Sequence, residues 1–128
     1  MATVLLIEDN EQNRYLVTYL LERQGYIVIS ANDGRSGLEL AAQVDPDVIL
    51  LDIQLPTMDG HEVARALRTM ASLRTVPIVA VTSYAMMGDR EKALAAGCTG
   101  YIEKPIDPAS FVAEVAAYAA SYLADDIQ

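Results

Sequence analysis

Short runs of apolar residues alternate along the chain with longer stretches in which apolar residues recur at helical spacing. The runs cover residues 4–7, 26–30, 48–51, 78–81 and 100–102. Continuous apolar runs are typical of parallel strands buried on both faces, and the stretches between them supply the covering helices. The pattern therefore predicts an α/β fold built from five β-α units.

Several of the predicted helices have recognisable ends. Gly25 follows the first helix and Gly97 the fourth, at positions where a left-handed residue commonly ends a helix. Asp107 and Pro108 suit the N-cap and the first position of the fifth helix. The second helix is expected over residues 34–44.

The first and third helices show apolar stripes. In the first, i,i+4 spacing links Leu16 to Leu20 and Val17 to Leu21. The third begins with a predicted capping box of Asp59 and Glu62, and its stripe runs Val63, Leu67 and Met70. We therefore expect the third helix to extend through Met70. The five units leave no linker, so a single domain over residues 1–128 is expected.

Polar residues directly follow the apolar run in four of the five units. They are Glu8 with Asp9, Asp52, Thr82 with Ser83, and Lys104. Doubly wound parallel sheets commonly have the flavodoxin-like strand order 2-1-3-4-5. We expect this order by analogy with that fold, because the sequence pattern does not determine it. Ligands of such sheets bind at the carboxyl ends of the strands, between strands 1 and 3. This edge would bring Glu8, Asp9 and Asp52 together.

Three carboxylates in one crevice repel one another, which raises at least one carboxyl pKa unless a cation lies among them. Oxygen ligands without a nearby His or Cys favour Mg²⁺, for which Mn²⁺ can substitute, over zinc. A metal and an ammonium group together stabilise a transferring phosphoryl group. We therefore expect Asp52 to act as a nucleophile, Lys104 to pair with a phosphoryl oxygen and the Thr82 hydroxyl to donate to another.

The same residues have structural interpretations. Asp52 alone could be a turn former, and Thr82 could be a buried hydroxyl bonded to the backbone. Glu8 and Asp9 could cap the first helix together with Asn10, because Asp and Asn favour that position. The combination of these residues at one edge favours a functional site.

Three further positions are open to two interpretations. Lys104 could be a solvated surface charge, but its place before Pro105 at a strand end favours a fixed turn and suggests a cis peptide. Tyr15 and Tyr19 lie one turn apart on the first helix, either at the edge of the core or in an exposed patch for a partner.

Composition excludes several functions. The net charge of −9 and the lack of a Lys/Arg cluster argue against direct nucleic-acid binding. The apolar runs are too short to cross a bilayer and no signal peptide is recognisable, so we expect a cytoplasmic protein without membrane insertion. Cys98, the single cysteine, is expected to be a small buried thiol.

Along essentially its whole length the sequence resembles the receiver domain of two-component response regulators, the CheY-like superfamily. The motifs that carry the resemblance are Glu8 and Asp9, residues 52–56 followed by 58–60, residues 81–83, and Tyr101 leading to Lys104 and Pro105. The segments 52–56 and 85–89 look most like stand-alone regulators of the DivK kind and receivers attached to hybrid histidine kinases.

The resemblance implies a role for each residue. Asp52 would accept a phosphoryl group from a histidine kinase or phosphotransfer protein, and Lys104 would contact it. Glu8, Asp9, Asp52 and the main-chain carbonyl of Gln54 would bind Mg²⁺, while Thr82 and Tyr101 would form the switch pair. Gln54 and Tyr84 could tune the lifetime of the acyl phosphate. A downstream protein would bind the surface of the fourth helix, fifth strand and fifth helix, without an output domain in this chain.

Three rival functions are weighed against this one. A phosphatase of the haloacid-dehalogenase type would carry Asp-x-Asp after the first strand, whereas this chain has Asp9, Asn10 and Glu11 there. A flavodoxin-like electron carrier would have a Ser/Thr/Gly phosphate loop at the same place. A phosphorylation-independent scaffold would not need an intact site. We therefore expect a phosphoacceptor rather than a turnover enzyme.

Overall fold

The apolar runs form strands and the stretches between them form helices, as predicted. A computed structural model describes residues 2–83 and 88–127, with side chains to residue 120. The strands are β1 (Thr3–Ile7), β2 (Ile27–Ala31), β3 (Val48–Asp52), β4 (Ile78–Thr82) and β5 (Gly100–Glu103). The helices are α1 (Glu11–Glu22), α2 (Gly34–Val44), α3 (Gly60–Arg68), a short 3₁₀ helix (Ala71–Leu73), α4 (Asp89–Ala95) and α5 (Pro108–Ile127).

The strands form one parallel sheet in the order β2-β1-β3-β4-β5, which confirms the expected doubly wound fold. β3 lies in the middle, between β1 and β4. In the sheet register Ile7 pairs with Leu51 and Asp52 pairs with Val81. The residues that follow β1, β3 and β4 therefore emerge at the same edge, which we call the carboxyl edge.

Two apolar clusters cover the two faces of the sheet, because alternate residues of each strand point to opposite sides. One cluster joins Leu5, Ile7, Ile49, Leu51 and Ile78 to residues of α2, α3 and α4. The other joins Val4, Leu6, Val48, Leu50 and Val79 to residues of α1 and α5. All five residues of β3 are buried.

Most helix ends agree with the sequence predictions. The second helix spans Gly34–Val44, with Asp33 as its N-cap. Gly25 has a left-handed φ of 91°, two residues past the C-cap Arg23 of α1. Asp107 accepts a hydrogen bond from the Ala109 N–H at 3.0 Å and so caps α5.

The prediction that α3 extends through Met70 is wrong, because α3 ends at Arg68 and Met70 has an extended ψ of 125°. Arg68 bends the following chain back on itself by donating to Leu73 O at 2.7 Å and Val76 O at 2.6 Å. At the other end of α3, Asp59 caps the His61 N–H at 3.2 Å, but no return bond from Glu62 occurs among the described hydrogen bonds.

The open question about Tyr15 and Tyr19 is resolved in favour of an exposed patch. Their side chains are 74% and 48% exposed, and their rings stack with centroids 6.5 Å apart. Cys98 is buried, as expected. Across the part of the chain that the structure describes, none of the helices combines the length and apolar character that a membrane span requires.

Candidate functional site

Buried polar side chains mark one place in the described structure. Glu8, Asp52 and Thr82 are 2%, 3% and 4% exposed, and they are the buried polar or charged residues of the described chain. Each lies at the end of a strand or directly after it, at the carboxyl edge. Because an unpaired buried charge is costly, these carboxylates need compensating partners nearby.

The predicted carboxylate cluster forms. Carboxylate oxygens of Glu8, Asp9 and Asp52 all lie within 4.8 Å of one another, with Asp9 exposed and the other two buried. Burial raises the pKa of the Asp52 carboxyl, and the adjacent Glu8 raises it further. The set contains only oxygen donors and an excess of negative charge, which is the kind of site that Mg²⁺ prefers. The donor set therefore fits a divalent cation.

Lys104 supplies a positive charge to this cluster rather than lying free on the surface. Its Nζ atom is 2.9 Å from Glu8 Oε1 and 3.4 Å from Asp52 Oδ2. Burial alone would lower the pKa of Lys104, but the hydrogen bond with Glu8 and the charge of Asp52 outweigh it and raise the pKa. The peptide between Lys104 and Pro105 is cis, at the end of β5.

The loop after β3 holds the Asp52 carboxylate. Asp52 Oδ1 accepts a hydrogen bond from the Gln54 N–H at 2.9 Å, and the Gly60 N–H donates to Ile53 O at 3.1 Å. A Cβ atom at position 60 would lie only 2.4 Å from Ile53 Cα, so the loop closes tightly only with glycine. The two oxygens of Asp52 therefore differ, since one is bonded to the loop and the other lies near Lys104.

The Gln54 side chain reaches across to the loop after β4. Its Oε1 accepts from Ser83 Oγ at 3.0 Å and from the Ser83 N–H at 3.4 Å. Tyr84, predicted to tune the site together with Gln54, lies outside the described residues. The Gln54 carbonyl as a metal ligand stays a prediction.

Thr82 and Tyr101 border the same cavity. They line a cavity of about 50 Å³ with Ile53, His61, Asp89 and Ala93. Tyr101 is half-buried, and it also lines a second concave region with Glu103 and Pro105. Tyr101 therefore borders both concave regions.

The turn between β1 and α1 is contacted by Arg14 of α1, the first residue that the sequence analysis missed. Asn10, not Glu8 or Asp9, caps α1, because its Oδ1 accepts from the Asn13 N–H at 2.9 Å. Arg14 Nη1 donates to Glu8 O at 2.9 Å and to Asp9 O at 3.0 Å. A usable signal existed, since helical side chains lean towards the N-terminus and an arginine in the second turn can reach the preceding loop.

Ser83 is the second residue that the sequence analysis missed, because its hydrogen bond to Gln54 leaves no signal in the sequence. It was noted only as a polar neighbour of Thr82. Its bond to Gln54 joins two loops that are 29 residues apart in the chain, and it depends on how both loops fold.

Comparison with known families agrees with this geometry. Residues 4–116 match the profile of the response regulator receiver domain. The chain belongs to the response regulator receiver family. Receiver domains of two-component systems are phosphorylation-dependent signalling proteins, and the chain is such a switch.

Individual relatives refine the placement of this receiver. It is 42% identical to the polar-differentiation response regulator DivK of Brucella ovis over 116 residues, 91% of this chain and 94% of the relative. The receiver domain of a sensor histidine kinase from Pseudomonas aeruginosa, solved with a magnesium ion in its active-site cleft, is 34% identical with a TM-score of 0.86, covering 93% and 98% of the two chains. Chemotaxis protein CheY4 of Vibrio cholerae is 31% identical with a TM-score of 0.89, covering 92% and 98%.

Proposed function

We propose that Asp52 accepts a phosphoryl group from a histidine kinase or a histidine phosphotransfer protein. One observation carries the proposal: Asp52 is buried at the end of the central strand, with Oδ1 bonded to the Gln54 N–H at 2.9 Å and Oδ2 3.4 Å from Lys104 Nζ. An Asp52 oxygen forms the bond to phosphorus while the bond to the donor's imidazole breaks. Lys104 then balances the charge on the phosphoryl oxygens.

Glu8, Asp9 and Asp52, together with the Gln54 main-chain carbonyl, would hold Mg²⁺, with Mn²⁺ as a substitute. The metal would supply charge neutralisation to the phosphoryl oxygens. Support comes from the cluster of carboxylate oxygens within 4.8 Å and from the magnesium in the cleft of the Pseudomonas relative.

The switch consists of Thr82, which moves towards the phosphoryl group, and Tyr101, which turns inward into the space that Thr82 leaves. The shared cavity of about 50 Å³ supports this pairing, and so does the contact of Tyr101 with a second concave region. Coupling of this kind is commonly worth ~1–3 kcal/mol, so we expect both states to be populated before phosphorylation.

A downstream protein binds the surface of α4, β5 and α5, and the output of the receiver is protein binding rather than direct nucleic-acid contact. Leu94 on α4 supports this surface because it is a large apolar side chain that is 43% exposed. A cytoplasmic location stays a prediction.

The receiver assists its own phosphotransfer and dephosphorylation but does not turn over a substrate. Gln54 and Tyr84 tune the lifetime of the acyl phosphate. The hydrogen bond from Ser83 Oγ to Gln54 Oε1 supports this role for Gln54, because it fixes the side chain beside the site. We expect Gln54→Ala and Tyr84→Ala to change the rate of phosphate loss, measured by radiolabel retention after the donor is removed. Loss at the parental rate in both variants contradicts the tuning role.

The central test replaces Asp52 by Asn and incubates the protein with Mg²⁺ and acetyl phosphate. Phosphate-affinity gels should show no phosphorylated band for Asp52→Asn. Asp45→Asn is the matched control, because Asp45 is exposed and has a φ of 52° that asparagine tolerates. Undiminished phosphate incorporation in Asp52→Asn would exclude Asp52 as the acceptor.

A pull-down separates a switch from a constitutive scaffold. Wild type treated with beryllofluoride and Mg²⁺ should retain a downstream partner that Asp52→Asn treated in the same way does not. Equal retention by both proteins would favour the phosphorylation-independent scaffold.

A further inference from the structure

Arg14 contacts the turn that carries two of the three clustered carboxylates through main-chain atoms alone. Its Nη1 donates to Glu8 O at 2.9 Å and to Asp9 O at 3.0 Å. These carbonyls belong to the peptide groups on either side of the Asp9 Cα atom. Because peptide groups are planar, holding both of them restricts the two backbone torsions of Asp9 and with them the direction of its Cα–Cβ bond.

Asp9 depends on this restraint more than its neighbours do. Glu8 is held by the Asn10 N–H at 3.2 Å and by Lys104, and Asp52 is held by the Gln54 N–H. Across residues 2–83 and 88–127, no described hydrogen bond or ion pair involves the Asp9 carboxylate, and the residue is exposed. Its approach to the other two carboxylates therefore depends on the main chain.

We propose that Arg14 is a positioning residue for the divalent-cation site, because it keeps the Asp9 carboxylate directed at Glu8 and Asp52. The inference rests on the proposed function, since it assumes that these carboxylates bind Mg²⁺. Ligands held from outside the coordination shell typically lose about 10–100-fold in metal affinity when that support is removed.

Electrostatics predicts the opposite sign, which makes the inference testable. Arg14 is a cation beside a cation site, so removing its charge alone would strengthen metal binding. Loss of positioning weakens binding instead. The two causes also differ in ion selectivity, because Mg²⁺ requires a strict octahedral shell whereas Ca²⁺ accepts flexible geometry at longer distances.

The test measures Mg²⁺ and Ca²⁺ binding to unphosphorylated, metal-free protein by isothermal titration calorimetry. In Arg14→Gln we expect the Kd for Mg²⁺ to rise about 10-fold and the Kd for Ca²⁺ to rise by a clearly smaller factor. Arg14→Lys keeps the charge but not the guanidinium geometry, and should weaken Mg²⁺ binding by an intermediate factor.

Arg35→Gln is the control for charge. Its side chain is 91% exposed on α2 and its recorded ion pair is a 4.0 Å contact with Glu39, so we expect Mg²⁺ binding like that of wild type. Circular dichroism and urea unfolding check the fold of each variant, and Arg14→Lys decides the question if Arg14→Gln does not fold.

Each outcome has a definite meaning. Unchanged or tighter Mg²⁺ binding in the folded Arg14 variants overturns the positioning role, as does an equal loss for both ions. If wild type itself does not bind Mg²⁺, the proposed metal site fails along with this inference. If wild type and the Arg14 variants bind Mg²⁺ equally well, the positioning role of Arg14 is refuted and the proposed metal site is not.

Discussion

At the carboxyl edge of the sheet one ammonium group contacts two of three clustered carboxylates, whereas at the opposite, amino edge one guanidinium is surrounded by neutral acceptors. Arg68 donates to Gly97 O at 2.8 Å, to Leu73 O and Val76 O, and to Thr99 Oγ1 at 3.0 Å. These bonds join the end of α3 to the segments that lead into β4 and β5. The N–H donors of Arg68 are thus paired with neutral acceptors, and these hydrogen bonds need no bound ligand.

The excess of negative charge lies at the carboxyl edge, where the carboxylates outnumber the one ammonium group. The carboxyl edge leaves Asp52 with a raised pKa, because burial and Glu8 oppose its ionisation. A metal cation bound among the carboxylates would relieve that imbalance. The amino edge needs no ligand, so we expect substitutions there to change stability and substitutions at the carboxyl edge to change function.

The largest expected effect is at the amino edge. Arg68→Met should destabilise the fold by about 3 kcal/mol, because it leaves several main-chain carbonyls without their charged donor. Urea unfolding measures the loss, and the variant that remains folded should still accept phosphate from acetyl phosphate. Arg65→Met, an exposed arginine on the same helix, is the control and should change stability little. Equal stability of both variants would contradict the contrast between the edges.

The second prediction uses the buried thiol at the amino edge. Burial raises the pKa of Cys98 from its ordinary 9.0 to about 11. The folded state then holds its proton more tightly than the unfolded state, so this contribution to stability is present below pH 9 and is lost as pH rises towards 11. Between pH 8 and 10.5, wild type should lose about 2 kcal/mol relative to Cys98→Ala in urea unfolding. Parallel pH profiles for the two proteins would contradict the raised pKa.

The smallest expected effect is at the carboxyl edge. In metal-free buffer at pH 7, Asp52→Asn should be as stable as wild type or more stable, by on the order of 1 kcal/mol, because it removes a buried charge beside Glu8. Since the pKa of Asp52 is raised above 3.8 in the folded state, its contribution to stability is lost as pH rises from about 4, and the advantage of Asn should grow in the same direction.

Mg²⁺ supplies the check on this last prediction. It should stabilise wild type more than Asp52→Asn and so reduce or reverse the difference in thermal unfolding midpoints. A variant that is less stable than wild type in metal-free buffer would show that Asp52 is a structural residue rather than a strained one.

The sequence predicted the sheet well because buried parallel strands leave a direct signal. All five strands were predicted to within one residue at each end, with β2 shifted by one residue along the chain. The path from Arg68 to β4 was not predicted, since the 3₁₀ helix Ala71–Leu73 depends on the bonds of Arg68 to distant carbonyls. A helical stripe that included Met70 could not reveal those bonds.

In the candidate site, too, the residues at strand ends were predicted and the contacts made by loops were not. The meeting of Glu8, Asp52 and Lys104 follows from parallel strands whose ends share an edge, so sequence position was sufficient. The contacts of Arg14 with the first turn and of Ser83 with Gln54 are made by loops, whose folding leaves no periodic signal. Sequence reasoning therefore found the charged groups and missed the residues that hold the loops around them.

The burial of β3 has a consequence for how the switch can be observed. Its residues are covered on both faces and paired with β1 and β4 on both sides. Amides in such a strand exchange with solvent deuterium only when the whole domain unfolds. Deuterium uptake before and after phosphorylation should therefore be unchanged in Val48–Asp52 and should differ in the surrounding loops, so the proposed phosphoacceptor Asp52 lies in the strand whose amides should change least.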